Sequence, residues 1–257
     1  MIDGSYANVL ITGGTSGIGA GLAARFLEVG ANVLVTGRNQ GKLAAMAKRH
    51  PGLLTFESDI GRPEDREALA NHALNVLPGL NIVINNAGIQ RRIALSEDTA
   101  PWSERQAEIN MLLAGPVHLN ALLIPALLDS GQAGAIVNVT SGGAYIPQPF
   151  APVYSACKAA LHSYTVTLRH SLRNTPIHVI ELIPPAVATG LAGPGNNHGA
   201  TVDDFCNTVF PQLLRQDLVE VGYGITASDQ FEAAKKPYKE MFASFSNRFP
   251  TAAYASR

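Results

Sequence analysis

Along this chain, short β-branched apolar runs alternate with longer stretches in which apolar residues return every three or four positions. Runs at 8–12, 31–36, 53–57, 81–85, 135–139, 177–183 and 218–223 predict seven strands. Ile18, Leu22, Phe26 and Val29 mark the apolar stripe of a first helix. Further helices are predicted at 41–49, 63–77 (opened by Pro63), 103–113, 117–128, 154–172, 202–214 and 229–245. Strand and helix alternate without a break in composition. The pattern therefore predicts one α/β domain over 1–257: a doubly wound, mainly parallel sheet with helices on both faces. Residues 184–201 are rich in Gly, Pro and Asn and predict a mobile loop, so that 184–215 forms a substrate-side loop and helix.

Composition narrows the function classes. Of 257 residues, 46% are hydrophobic and 15% charged, with a formal net charge of -1, which argues against nucleic acid or an anionic membrane as partner. The apolar runs are short and end at Gly, Pro or charge, predicting no transmembrane span. The first residues lack the regions of a signal peptide. Cys157 and Cys206 fit no metal or redox spacing, and free thiols suit a reducing cytosol. The expectation is a soluble, cytoplasmic protein.

Candidate chemistry begins between the first strand and first helix, at Gly13, Thr15, Ser16, Gly17, Ile18 and Gly19. Glycines let backbone approach a phosphate, and the helix N-terminus offers free N–H groups. The spacing G-x-x-x-G-x-G meets the Rossmann dinucleotide fingerprint in outline. After the second strand, where NAD binders place an acid, this chain has Arg38; a guanidinium pairs with a 2′-phosphate, favouring NADP(H) while NAD(H) stays possible. A solvated turn residue is the competing reading. Asp59, followed by Ile60, is placed to meet adenine, or else to cap a helix. Tyr154 and Lys158 lie four residues apart on a predicted helix, so they share a face. Among six lysines and seven tyrosines this is the single pair at that spacing. A neighbouring ammonium is expected to lower the phenol pKa.

These residues resemble the classical short-chain dehydrogenase/reductase (SDR) family, through Thr12-Gly13-x-x-x-Gly17-Ile18-Gly19, Asn85-Asn86-Ala87-Gly88, Asn110, Ser141, Tyr154-x-x-x-Lys158 and Pro184-x-x-Val187-x-Thr189. More narrowly, 85–92, 116–119, 159–163 and 168–170 look like the DltE-like branch. The resemblance implies an NADP(H)-dependent oxidoreductase of carbonyl reductase or alcohol dehydrogenase type, acting on a small carbonyl or alcohol. In that reading Tyr154 exchanges the proton with the substrate oxygen, and Lys158 holds the nicotinamide ribose. Ser141 hydrogen-bonds the substrate oxygen, and Asn110 anchors a proton-relaying water. Asn86, Ala87 and Gly88 shape the adenosine ribose side. Pro184, Val187 and Thr189 fix the nicotinamide. The family's Pro-Gly is here Pro184-Pro185, which predicts an altered loop path. A homodimer or homotetramer through the helices at 117–128 and 154–172 also follows by resemblance.

Between Ser141 and Tyr154 lie Tyr145, Ile146, Pro147, Gln148 and Phe150, some of which, Tyr145 and Gln148 first, are expected to line a mainly apolar substrate pocket with a polar handle. Arg91 and Arg92 could meet an anionic substrate group, with a solvated pair as the alternative. His162 and His170 lack a third ligand, so no metal is expected. The contrasting functional class is a catalytically weak NADP(H)-binding sensor or interaction protein of the same fold.

Overall fold

The computed structural model describes residues 4–193, 198–249 and 251–255. Strands β1 (Asn8–Ile11), β2 (Asn32–Gly37), β3 (Leu54–Glu57), β4 (Ile82–Asn85), β5 (Gly134–Val139), β6 (Ile177–Ile183) and β7 (Glu220–Gly222) form a seven-stranded sheet in the order β3-β2-β1-β4-β5-β6-β7. Every pairing is parallel. The helices are α1 (Gly17–Glu28), α2 (Gln40–Arg49), α3 (Pro63–Val76), α4 (Trp102–Ile109), α5 (Gly115–Asp129), α6 (Pro152–Ser171), α7 (Val202–Leu213) and α8 (Asp229–Arg248).

The two-residue period of the strands sorts side chains between two cores. Val9, Ile11, Val33, Val35, Ile82 and Ile84 pack with Leu22, Phe26, Leu43, Phe205 and Val209 of α1, α2 and α7. Leu10, Leu34, Val83 and Ile136 pack on the other face with Leu69, Leu119, Leu123 and Leu168 of α3, α5 and α6. Both faces of the sheet are thus dry, which is why its strands read as nearly continuous apolar runs.

One prediction fails instructively. The helices expected at 103–113 and 117–128 are a single helix spanning Trp102–Asp129, joined by a π-helical segment, Asn110–Ala114. Pro116 has no N–H to give the carbonyl one turn back, and the N–H of Gly115 reaches the Asn110 carbonyl instead. The wider turn absorbs the missing bond, so the helix continues where Gly115-Pro116 reads as a stop. By length and composition this helix could cross a membrane, but 56% of its apolar window is buried inside the protein.

Candidate active site

The order of strands turns between β1 and β4, and a cleft of about 600 Å³ opens there at the carboxyl ends of the strands. Its floor is the loop after β1. Gly13 has φ 66°, and a Cβ on it would lie 2.7 Å from the Ala87 Cα, so the loops after β1 and β4 meet backbone to backbone. Thr12 Oγ1 accepts the N–H groups of Asn86 and Ala87 at 3.0 and 3.1 Å, and Asn86 Nδ2 donates to the Thr12 and Gly13 carbonyls. Asn86 therefore shapes the cleft by stapling two loops. Gly19 does not line the cleft. A Cβ there would stand 2.5 Å from both Asn86 Nδ2 and the Gly13 carbonyl, so it is where α1 passes beneath the loop.

Thr15, Ser16, Gly17 and Ile18 face the cleft. The Ser16 side chain makes no cap hydrogen bond to α1, leaving first-turn N–H groups for an anion. Further along lie Arg38, Asp59 and Ile60. The Arg38 guanidinium is 4.0 Å from the Asp59 carboxylate, with its side chain 58% exposed. Asp59 Oδ1 accepts from the Gly61 N–H at 2.9 Å, so it caps a turn; the N-cap of α3 is Arg62. Lys42 and Ser58 also line this end, and neither figures in the sequence reading. The spacing Arg38-x-x-x-Lys42 across the start of α2 was the available signal for the lysine. The buried Ser58 hydroxyl has no hydrogen-bond partner among the described residues. An orphaned hydroxyl beside two cations and free helix N–H groups fits the phosphate, ribose and base of a dinucleotide.

At the other end, Ser141 follows β5, and its Oγ accepts from the Gly143 N–H at 3.0 Å. The Ser141 hydroxyl also stands near enough to the Tyr154 phenol to favour its ionised form. Tyr154 and Lys158 project from α6, both buried and both facing the cleft. Lys158 Nζ donates to the Val139 carbonyl at 2.6 Å and stands 5.7 Å from the Tyr154 ring centroid. The expectation that Lys158 lowers the Tyr154 pKa is not met in this arrangement. Burial pushes the phenol up, opposed by the nearby Ser141 hydroxyl, while the ammonium is turned to a backbone carbonyl. Burial also drops the Lys158 ammonium from 10.5 to about 8.

Ala87, Gly88, Pro184, Val187 and Thr189 line the cleft, as does Pro185. The Pro184 carbonyl accepts the Gly142 N–H at 3.0 Å, tying the end of β6 to the Ser141 turn. Residues 194–197 of the predicted mobile loop lie outside the described residues. Asn110 opens the π-helical segment and does not line the cleft; its Oδ1 accepts from Gln106 Nε2 at 2.8 Å.

Two predicted pocket residues lie elsewhere. Tyr145 turns away from the cleft to a fully buried carboxylate, Glu181 on β6, which the apolar run around it conceals in the sequence. Gln148 stands behind Gln90, whose Nε2 donates to it at 3.2 Å; Gln90 is the one that lines the cleft. Arg91 is neither solvated nor free for a ligand: Asp98 holds its guanidinium at 2.9 Å, beside buried Glu108.

The arrangement can hold a dinucleotide and exchange a proton beside it: a long groove with phosphate donors at one end, and a phenol, a hydroxyl and an ammonium converging at the other. Comparison with known proteins agrees. The model of the short chain dehydrogenase family matches residues 7–199. The chain is 47% identical over 183 residues to the uncharacterized oxidoreductase DltE of Bacillus subtilis (strain 168), covering 71% of this chain and 72% of that one. Among solved structures, it superposes on 3-ketoacyl-(acyl-carrier-protein) reductase from Brucella melitensis, complexed with NADH, with a TM-score of 0.75 at 28% identity over 83% of this chain and 95% of that one. A short-chain dehydrogenase from Sphingobium yanoikuyae in complex with NADPH gives 0.81 at 24% identity, over 91% and 94% of the two chains. With sequence, sheet order and cleft in agreement, the chain belongs to the short-chain dehydrogenase/reductase family of oxidoreductases, as a DltE-like member.

Proposed function

We propose that this protein is an NADP(H)-dependent carbonyl reductase or alcohol dehydrogenase acting on a small, mainly apolar substrate. The observation that carries the reading is the convergence of Ser141, Tyr154 and Lys158 at one end of a dinucleotide-sized cleft. A bound nicotinamide would supply or accept the hydride. The first-turn N–H groups of α1 would hold the pyrophosphate, Arg38 and Lys42 a 2′-phosphate, and Lys158 the nicotinamide ribose hydroxyls. The Ser141 hydroxyl and the Tyr154 phenol both face the cleft close to each other, so a carbonyl oxygen placed against the pair would meet two O–H donors. Burial keeps the Tyr154 phenol protonated, which is the acid that reduction requires. The cation pair at Arg38 and Lys42, with no acid at the end of β2, favours NADP(H) over NAD(H).

A cytoplasmic homo-oligomer completes the reading. Exposed Ala121 and Pro125 with half-buried Val117 and Leu122 give α5 an apolar outer stripe of the kind a C2 interface covers. The test is a panel of ketones and aldehydes with NADPH and NADH side by side, for the wild type and Tyr154→Phe. Reduction by the wild type alone, with NADPH still binding to the variant, is expected. Equal turnover by the variant would refute the assignment of Tyr154.

A further inference from the structure

Glu181 is the one acid in the apolar run of β6, and it is completely buried. Its carboxylate gathers donors from two other elements. Thr140 Oγ1 donates to Oε1 at 2.6 Å, and the Tyr145 hydroxyl lies 3.2 Å from each oxygen. His162 Nδ1 is 2.8 Å from Oε2 and 2.9 Å from the Tyr145 hydroxyl. Thr140 and Tyr145 bracket the turn that presents Ser141. His162 lies on α6 one turn beyond Lys158 and two turns beyond Tyr154, on the same stripe. One carboxylate thus fastens both flanks of the Ser141 turn to the helix that carries Tyr154.

The cluster is also braced from behind. Phe231 of α8 meets the Tyr145 ring edge-on, with centroids 5.0 Å apart, and Lys235 stands 5.7 Å from that ring. Lys235 is itself fixed by Glu220 of β7 at 2.5 Å. Burying a carboxylate is costly, and apolar residues of similar volume often stabilise a core as well or better. Stability alone therefore gives no reason for an acid at this position, whereas orientation does.

We propose that Glu181, Tyr145 and His162 are positioning residues that hold the Ser141 hydroxyl in register with the Tyr154 phenol. The proposal rests on the catalytic reading of Ser141 and Tyr154 given above. None of the three touches the cleft, so they act through the turn and the helix.

The test compares Tyr145→Phe, Glu181→Gln and Glu181→Leu with Ser141→Ala and the Tyr145→Phe/Ser141→Ala double variant. Tyr145→Phe should lower kcat about tenfold, the effect of one hydrogen bond to a charged group, with the Kd for NADPH within about twofold of wild type. Glu181→Gln should retain more activity than Glu181→Leu. The double variant should be no slower than Ser141→Ala alone, because Tyr145 acts through Ser141. Additive losses, an unchanged kcat in Tyr145→Phe, or NADPH binding that weakens in step with kcat would overturn the proposal. A readout independent of turnover separates it from the proposed activity. The NMR signal of ¹³Cζ-labelled Tyr154, assigned by its absence in Tyr154→Phe, should move in Tyr145→Phe toward its position in Ser141→Ala. A wild type that reduces no carbonyl while this signal moves would refute the activity and leave the positioning role standing. A signal unmoved in both Tyr145→Phe and Glu181→Leu refutes the positioning role whatever the turnover.

Discussion

Replacing Lys158 with methionine should make the folded protein more stable near neutral pH while ending turnover. Lys158 is only 4% exposed, and among the described residues its one hydrogen-bond partner is the Val139 carbonyl. Its pKa falls from 10.5 to about 8, so below pH 8 folding carries the full penalty of burying the charge. At 1.36 kcal/mol per tenfold change in proton affinity, that penalty is about 3 kcal/mol. Methionine removes it but leaves the Val139 carbonyl without its donor, a loss of about 1 kcal/mol. The net gain at pH 7 is therefore about 2 kcal/mol, or roughly 5 °C in Tm for a domain of this size.

The sign of the pH dependence follows from the same displacement. Between pH 8 and 10.5 the unfolded chain binds the lysine proton and the folded one does not. The wild type thus gains stability relative to Lys158→Met as pH rises; the gap closes at about pH 10, where the remaining penalty equals the lost hydrogen bond, and reverses above it. Urea unfolding of both proteins at pH 7, 8, 9 and 10, read by fluorescence and far-UV circular dichroism, measures the gap directly. A methionine variant no more stable than wild type at pH 7 would refute the reasoning. So would a gap that stays constant from pH 7 to pH 10.

Arg38→Ala should weaken NADPH binding about thirtyfold and NADH less than about threefold, since only NADPH carries the 2′-phosphate; equal weakening in a fluorescence titration contradicts that role. Gly19→Ala should cost about 2–3 kcal/mol and abolish detectable dinucleotide binding, because its methyl group would stand 2.5 Å from the Gly13 carbonyl and force the β1 loop out of place. Unfolding and titration of that variant check both halves, and wild-type affinity would show that the loop is not held as described.

Much of the fold was legible because a doubly wound sheet buries both faces, and buried strands must then be short apolar runs. The run at 177–183 matches β6 at both ends. Edge strand β7 is shorter than predicted, Glu220–Gly222 within 218–223, since an edge has one neighbour to extend its ladder. Spacing alone makes Tyr154 and Lys158 a pair. It could not show that Lys158 turns to the Val139 carbonyl, because α6 lies over the end of β5 only after the chain is packed.

The sequence by itself determined which residues could bind and react: local rules of periodicity, turn chemistry and helix spacing need no long-range contact. Tertiary structure alone decided which polar groups meet across the sheet. Asn85 donates to Asn120 and Asn138 at 2.8 and 2.9 Å, and Asn138 to Thr165 at 3.0 Å, joining residues up to 53 positions apart. Tyr145 likewise finds Glu181, 36 positions on, instead of a substrate. Such partners are chosen by the cost of burying an unpaired polar group. That cost exists only once the sheet has closed over it.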